Sequence, residues 1–159
     1  MSYLLPMDLK RIVVFALDDA RCALSLSVVE RPVRAVAITP LPDAPEIVLG
    51  VINAQGRIIP VVDVRKRFRF PARGINVDDR FIIARTTRRT VALVVDAVLG
   101  VRELAAGELV SARAYLPFAS CLQGVAKMED GLVLIYDLDR FLSLDEEGAL
   151  DAAMPGGAE

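Results

Sequence analysis

The 159-residue sequence contains no histidine, and its only cysteines are Cys22 and Cys121. Without histidine, Ser-His and Cys-His nucleophile activation, histidine-ligated zinc and histidine acid–base catalysis are all excluded. The two cysteines form no C-x-x-C motif, so we expect reduced, buried thiols. The sequence also lacks a glycine-rich phosphate loop, a dinucleotide-binding fingerprint and a cluster of metal ligands. No catalytic, cofactor-binding or metal-binding residue is therefore predicted.

Long uninterrupted hydrophobic runs are also missing, although 54% of the residues are hydrophobic and the mean hydropathy is +0.45. Charged residues or glycine interrupt every apolar run well before the roughly 20 residues that a membrane-spanning helix needs. The most apolar stretch, from Val91 to Val101, carries Asp96 in its middle. The N-terminal segment has Asp8 and no small-residue cleavage site, unlike a secretory signal. We expect a cytoplasmic protein without direct membrane insertion.

The charge balance gives no general attraction to nucleic acid, because 19 basic and 21 acidic residues leave a net charge of −2. A local basic cluster, from Val64 to Arg73, interleaves arginines with Phe68 and Phe70, a mixture typical of single-strand binders. Overall acidity favours a solvated basic turn, with the phenylalanines closing the core. We expect no nucleic-acid partner, and an oligonucleotide-binding barrel is kept as an alternative.

An internal duplication organises the chain. The stretch GVINAQGRIIPVVDVRKRF, from Gly50, returns as GVAKMEDGLVLIYDLDRFL, from Gly124, and an aspartate follows thirteen positions after each glycine. The upstream segments 13–34 and 80–102 also align. A repeated unit predicts two similar lobes.

Each copy has the alternation, β-branched residues and turn signals of short antiparallel strands. About five strands per lobe, in roughly 65 residues, suit a small closed barrel. We predict one domain over the whole chain, with lobe one at about 28–85 and lobe two at about 86–150. The N-terminal hairpin 12–27 is expected at their junction. Helix is predicted mainly at 139–144, with a frayed tail over 146–159.

Three acidic residues stand out as candidates for chemistry. Asp63 and Asp137 end equivalent strands, and the pattern after each favours an N-cap of a helical turn over paired-acid catalysis. Asp96 lies where burial is expected, so a hydrogen bond to a backbone amide or an arginine is favoured. A small-molecule-binding or enzymatic double barrel that uses Asp63, Asp96 and the arginines is the second alternative.

The run LPDAPEIVLGVINAQGRIIPVVDVRKRF, with VALVVDAVLGV downstream and LIYDLDRFL near the end, resembles the CheW family of chemotaxis adaptors over about residues 13–144. The resemblance implies a mainly all-β fold of two five-stranded SH3-like β-barrels with a groove between them, short helical turns and a C-terminal helix. It implies a non-enzymatic adaptor that couples chemoreceptors, the methyl-accepting proteins, to a CheA-type histidine autokinase. The implied partners are the kinase regulatory domain and the chemoreceptor cytoplasmic tip, in arrays at the membrane.

Two positions depart from the family pattern. The family turn N-L-R-G reads Asn53-Ala54-Gln55-Gly56, and the family V-x-E aligns with Val29-Glu30-Arg31, so Arg31 replaces the expected glutamate. The ion pair implied for relatives therefore cannot form between Arg31 and Gln55. A surface pair contributes only about 0–1 kcal/mol, so we expect altered partner choice, or an alternative pathway, with the fold kept. The predicted receptor-groove residues are Val29, Arg31, Gly50, Gln55, Gly56, Ile58, Val94 and Val95.

Overall fold

Strands dominate the computed structural model, which describes residues 9–105, 107–110 and 121–154. The strands are β1 (Arg11–Leu17), β2 (Ala20–Ser25), β3 (Val29–Arg34), β4 (Val48–Ala54), β5 (Arg57–Val62), β6 (Arg80–Arg85), β7 (Thr90–Val95), β8 (Ala97–Glu103), β9 (Leu109–Val110), β10 (Leu122–Met128) and β11 (Gly131–Tyr136). The helices are α1 (Val64–Arg67) and α2 (Leu144–Ala153), with 3-10 turns at Leu26–Val28 and Leu138–Arg140. The predicted mainly-β fold with a C-terminal helix is confirmed.

The strands form two sheets that exchange parts between the two copies of the duplication. One has the order β8-β1-β2-β11-β10-β9, and the other the order β3-β6-β7-β5-β4. The six-stranded sheet combines the hairpin β1–β2 of the first copy with β8 and the Gly-Val hairpin β10–β11 of the second copy. The five-stranded sheet combines the hairpin β6–β7 of the second copy with β3 and the Gly-Val hairpin β4–β5 of the first copy. The pairings β5–β7 and β11–β2 are parallel and equivalent in the two sheets, whereas the remaining pairings are antiparallel.

This exchange corrects the predicted lobe boundaries. Strand β7 lies beyond residue 85, yet it belongs to the five-stranded sheet, because a tight turn from Thr86 to Arg89 keeps it paired with β6. The hairpin of residues 12–27 does not merely pack at a junction. It provides β1 and β2, which are inner strands of the six-stranded sheet.

Most strands are buried on both faces, which explains their nearly continuous apolar sequences. Along β1, Ile12 and Val14 belong to a small core of the six-stranded sheet, whereas Phe15 and Leu17 belong to a larger shared core. The five-stranded sheet has its own small core around Phe81. The shared core takes residues from both sheets and from α2, so it joins the two halves of the molecule.

The C-terminal segment differs from the predicted frayed tail. Helix α2 begins at a capping box in which Ser143 and Glu146 exchange side-chain and backbone hydrogen bonds. Leu150 and Met154 are buried in the shared core, so packing holds the helix through residue 153. Residues 155–159 of the predicted tail lie outside the described residues. No helix within the described ranges has the length and apolar composition required to cross a membrane.

Candidate functional site

The β4–β5 hairpin presents the predicted turn residues to solvent. Gln55 and Gly56 both have positive φ, 54° and 84°, as a two-residue type I′ turn requires. The backbone amide of Gly56 donates to the Asn53 side chain at 2.9 Å, which fixes the turn. Both turn residues are exposed, so this tip is available to a partner.

Strand β3 contacts the turn end of this hairpin and carries a β-bulge. In its pairing with β6, Val29 lies opposite Ala84 and Arg31 opposite Ile83, so Glu30 has no partner across the ladder. A bulge changes the direction of the extra side chain. The Glu30 carboxylate accepts from the Arg57 guanidinium at 2.7 Å.

The two segments are thus joined by an ion pair other than the one that Arg31 and Gln55 cannot form. The acid is Glu30, one position before Arg31, and the base is Arg57, two positions after Gln55. The hydrogen bond from Arg57 lowers the pKa of Glu30 against a smaller opposing effect of burial, and the charges of Arg57, Arg85 and Arg31 add to the lowering. The charges of three guanidinium groups therefore act on one carboxylate.

The structure brings together some of the predicted groove residues and separates others. The Glu30–Arg57 pair joins the β3 segment that holds Val29 and Arg31 to the hairpin segment that holds Gln55, Gly56 and the half-exposed Ile58. The remaining predicted residues lie elsewhere: Val95 is fully buried in the shared core, Gly50 is buried against Thr39 and Ile38, and Val94 is half-buried beside a cavity.

That cavity has a volume of about 250 Å³ and combines apolar and charged walls. Ile38, Leu49 and Val94 provide apolar surface, and Arg65 and Arg73 provide charge. The two guanidinium groups are already engaged by carboxylates. The cavity is also smaller than the roughly 300–1,000 Å³ typical of small-molecule sites.

The carboxylates belong to a network that joins the two sheets. Arg65 on α1 donates to Asp18, in the β1–β2 turn, at 2.7 Å, and to Asp96, after β7, at 2.9 Å. Arg73 donates to the buried Asp79 at 2.8 Å and also contacts Asp96. Asp96 also accepts from the Asp18 backbone amide at 2.7 Å. The predicted bonding of Asp96 to an amide and an arginine is confirmed.

Burial and hydrogen bonding act in opposite directions on these acids. Burial would raise the pKa of Asp96, but hydrogen bonds from Arg65 and the Asp18 amide, together with the nearby guanidinium charges, outweigh it and lower the pKa. Asp79 follows the same pattern: burial opposes the lowering of its pKa, and Arg73 with the Asn76 amide produces it. Both acids are therefore held as ionised structural groups.

The basic cluster from Val64 to Arg73 is only partly the predicted solvated turn, since Lys66 and Arg69 are exposed but Arg65 is buried. Arg65 and Arg73 are paired as above, and Arg67 donates to Glu146 on α2 at 2.6 Å. Phe68 stacks on Tyr136 with ring centroids 3.7 Å apart, so its ring faces the protein interior. The predicted core role of Phe68 and Phe70 is confirmed, since both pack on the shared core.

Asp63 and Asp137 cap short helical turns, as predicted. The Asp63 side chain accepts from the Lys66 amide, and the Asp137 side chain accepts from the Asp139 amide, each at 3.1 Å. The hairpins β4–β5 and β10–β11, which precede these aspartates, carry a bulge at equivalent positions, before Gly50 and before Gly124. Within the part of the chain that the structure describes, no group of three cysteine, aspartate or glutamate side chains is arranged to hold a metal ion.

The fold agrees with comparisons to known proteins. A family model of the CheW-like domain matches residues 11–146. The chain belongs to the CheW-like domain family. It is 32% identical over 132 residues to the chemotaxis protein CheW of Thermotoga maritima, covering 80% of this chain and 84% of that protein. It is 28% identical over 145 residues to the chemotaxis protein CheW of Rhizobium meliloti, covering 88% and 92%.

A solved structure gives the same answer for the fold. The crystal structure of scaffolding protein TtCheW from Thermoanaerobacter tengcongensis matches with a TM-score of 0.78 and 33% identity, covering 86% of this chain and 94% of that one. The resemblance to the CheW family and the predicted fold class are therefore confirmed. Because the relatives are chemotaxis proteins, they indicate a scaffold or adaptor role in chemotaxis.

Proposed function

We propose that this chain is a non-enzymatic adaptor that couples chemoreceptors to a CheA-type histidine autokinase. The observation that carries this function is the CheW-like match over residues 11–146, together with the shared two-sheet fold. The acids that could have suggested chemistry support the same role. Asp63 and Asp137 cap helical turns, and Asp96 bonds two arginines of the inter-sheet network.

Two separate surfaces suit the two partners. Strand β8 is an edge of the six-stranded sheet, and its Leu99 and Val101 are each 54% exposed. An exposed apolar edge fits the docking of another barrel, such as the regulatory domain of the kinase. The receptor tip would then contact the β3 and β4–β5 surface, where Gln55, Gly56 and Ile58 are exposed. In this role the protein resides in the cytoplasm and joins receptor arrays at the membrane.

The decisive experiment is a calorimetric titration with the regulatory domain of the CheA-type kinase from the same organism. Binding with a Kd of about 10 μM or tighter, roughly −7 kcal/mol, would support the adaptor role. No heat at about 100 μM with a folded sample would contradict it. The cavity beside Val94 would then make a small-molecule ligand the stronger candidate, and steeply salt-dependent binding to single strands would favour an oligonucleotide.

The receptor half of the proposal has its own test. The double change Arg31→Glu with Gln55→Arg installs the family residues beside the existing Glu30–Arg57 pair. We expect it to raise affinity for a receptor tip of the usual type, because a charge mismatch at a contact costs more than a match gains. Unchanged recovery in a receptor pull-down would show that these two positions do not select the receptor.

A further inference from the structure

Three arginines lie on one face and at one end of the five-stranded sheet. Arg31 lies directly opposite Ile83, and Arg85 follows Ile83 by two positions on β6. Arg57 precedes Ile59 by two positions on β5. Residues two apart on a strand share a face, and Ile59 and Ile83 both belong to the small core of this sheet. We call the three residues Arg31, Arg57 and Arg85 the arginine mouth.

Among the residues that the structure describes, the arginine mouth carries more positive charge than its salt bridges neutralise. The Glu30 carboxylate pairs with Arg57 at 2.7 Å. Within the described ranges, neither Arg31 nor Arg85 forms a salt bridge. The Nε atom of Arg31 is buried and has no hydrogen-bond partner there. A buried donor without a partner is unfavourable, so a group that supplies an acceptor would be stabilised at this position.

The basic cluster of residues 64–73 differs from the arginine mouth in its electrostatics. Its Arg65 and Arg73 are each held by two carboxylates, so these two arginines leave no charge for a partner. The surplus charge at the arginine mouth is thus a local property in a chain whose net charge is −2. Local surplus charge marks a surface that selects its partner by charge complementarity.

We propose that the arginine mouth binds an acidic side chain, Asp or Glu, from the helical tip of the receptor. This inference rests on the proposed adaptor function and specifies the chemistry of its receptor partner. Guanidinium groups bind carboxylates through paired, charge-assisted hydrogen bonds, which fixes orientation as well as charge.

A helical protein segment fits this surface better than a nucleic acid. The negative charge of Glu30, which pairs with Arg57 and is influenced by Arg31 and Arg85, repels a continuous run of phosphates, whereas a single carboxylate needs only the two arginines that form no salt bridge. Phe68 and Phe70, the aromatic residues of the basic cluster that could stack on a base, both pack on the shared core, and Phe68 stacks on Tyr136.

The test measures binding of the receptor cytoplasmic tip from the same organism by fluorescence anisotropy. We expect Arg31→Glu and Arg85→Glu each to weaken binding about tenfold, or about 1.4 kcal/mol. The matched control is Arg102→Glu, which makes the same charge change at an exposed site on β8 of the other sheet, and it should change affinity less than about twofold. Arg85 is exposed, so Arg85→Glu keeps the test valid even if the half-buried Arg31 position does not tolerate glutamate.

A charge swap identifies the contact. Acidic residues of the receptor tip are changed singly to lysine, and one of them should restore the binding of Arg85→Glu to near the original affinity. Equal affinity of the original protein and both charge-reversed variants would overturn this inference while leaving the adaptor function intact. Absence of binding to the receptor tip by the original protein would overturn the inference together with the receptor half of the proposed function, even where the kinase domain binds. If the original protein bound a single-stranded oligonucleotide and Arg85→Glu did not, the partner of the arginine mouth would be a nucleic acid and not an acidic helix.

Discussion

The guanidinium of Arg89, in the turn directly before β7, donates to the carboxylate of Glu147 on α2 at 2.9 Å, and both side chains are almost fully buried. Arg89 also contacts Asp151, one turn further along the helix. The helix follows the six-stranded sheet in the chain, whereas β7 belongs to the five-stranded sheet. This ion pair therefore fastens the C-terminal helix across the two halves of the molecule.

Breaking this pair should destabilise the fold strongly. Glu147→Ala leaves a buried guanidinium with only the partly exposed Asp151, so we expect a loss of about 3–5 kcal/mol in the free energy of unfolding. Urea denaturation followed by circular dichroism measures it. The control Arg88→Ala, at the exposed neighbouring position, should stay within about 0.5 kcal/mol. A loss below about 1 kcal/mol for Glu147→Ala would mean that the apolar contacts of α2 hold it without the ion pair.

The local features of the fold follow from short sequence patterns. The duplication predicted two similar halves. The spacing after Asp63 and Asp137 predicted their capping roles, because a cap needs only a few neighbouring residues. The bonding of Asp96 was also predictable, since a carboxylate within an apolar strand region requires donors. Such features are decided within one hairpin or one turn.

The long-range features could not be predicted in this way. The exchange of hairpins between the sheets depends on which apolar faces meet in the shared core, and periodicity within one copy does not specify that. The bulge at Glu30 changes which residues of β3 face the hairpin, so counting positions selected Arg31 as the site of the acid. The order of α2 depends on Arg89, a residue 58 positions before Glu147. Each miss arose from a contact between distant segments.

Acid should weaken the inter-sheet network through Asp96. Its pKa is lowered in the folded protein, so its stabilising contribution is fully present above the unfolded value near 3.9 and is lost as the pH falls through the lower folded value. Asp96→Asn should cost about 1–3 kcal/mol at pH 7, because the carboxylate bonds to Arg65 and Arg73 are lost.

The measurement is the free energy of unfolding of both proteins between pH 7 and pH 3. The difference between them should shrink below about pH 4, since protonation removes the same charge from the original Asp96. A constant difference across this range would show that the charge of Asp96 contributes nothing and that only the shape of the side chain matters.

Cys22 should be unreactive in the folded protein. It is fully buried on β2, and burial raises the pKa of its thiol to about 12, so almost no thiolate exists near neutral pH. Iodoacetamide at pH 8, read out by mass spectrometry of the peptide that contains Cys22, should modify it only after denaturant is added. Rapid modification without denaturant would indicate frequent opening of the β1–β2 hairpin.

Gly50 should be required by the fold and not by a partner. Its φ is +149°, and a Cβ built at this position would lie 2.3 Å from the carbonyl oxygen of Thr39, whose backbone pairs with Val51. Gly50→Ala should therefore force the segment before β4 outward, at a cost of about 1–3 kcal/mol in thermal or urea unfolding. The comparison is Gly148→Ala in the middle of α2, where a Cβ meets nothing within 4 Å. That change should stabilise the protein by up to about 1 kcal/mol, because alanine favours helix over glycine. Weaker receptor binding by Gly50→Ala with unchanged unfolding would instead make Gly50 part of the contact surface.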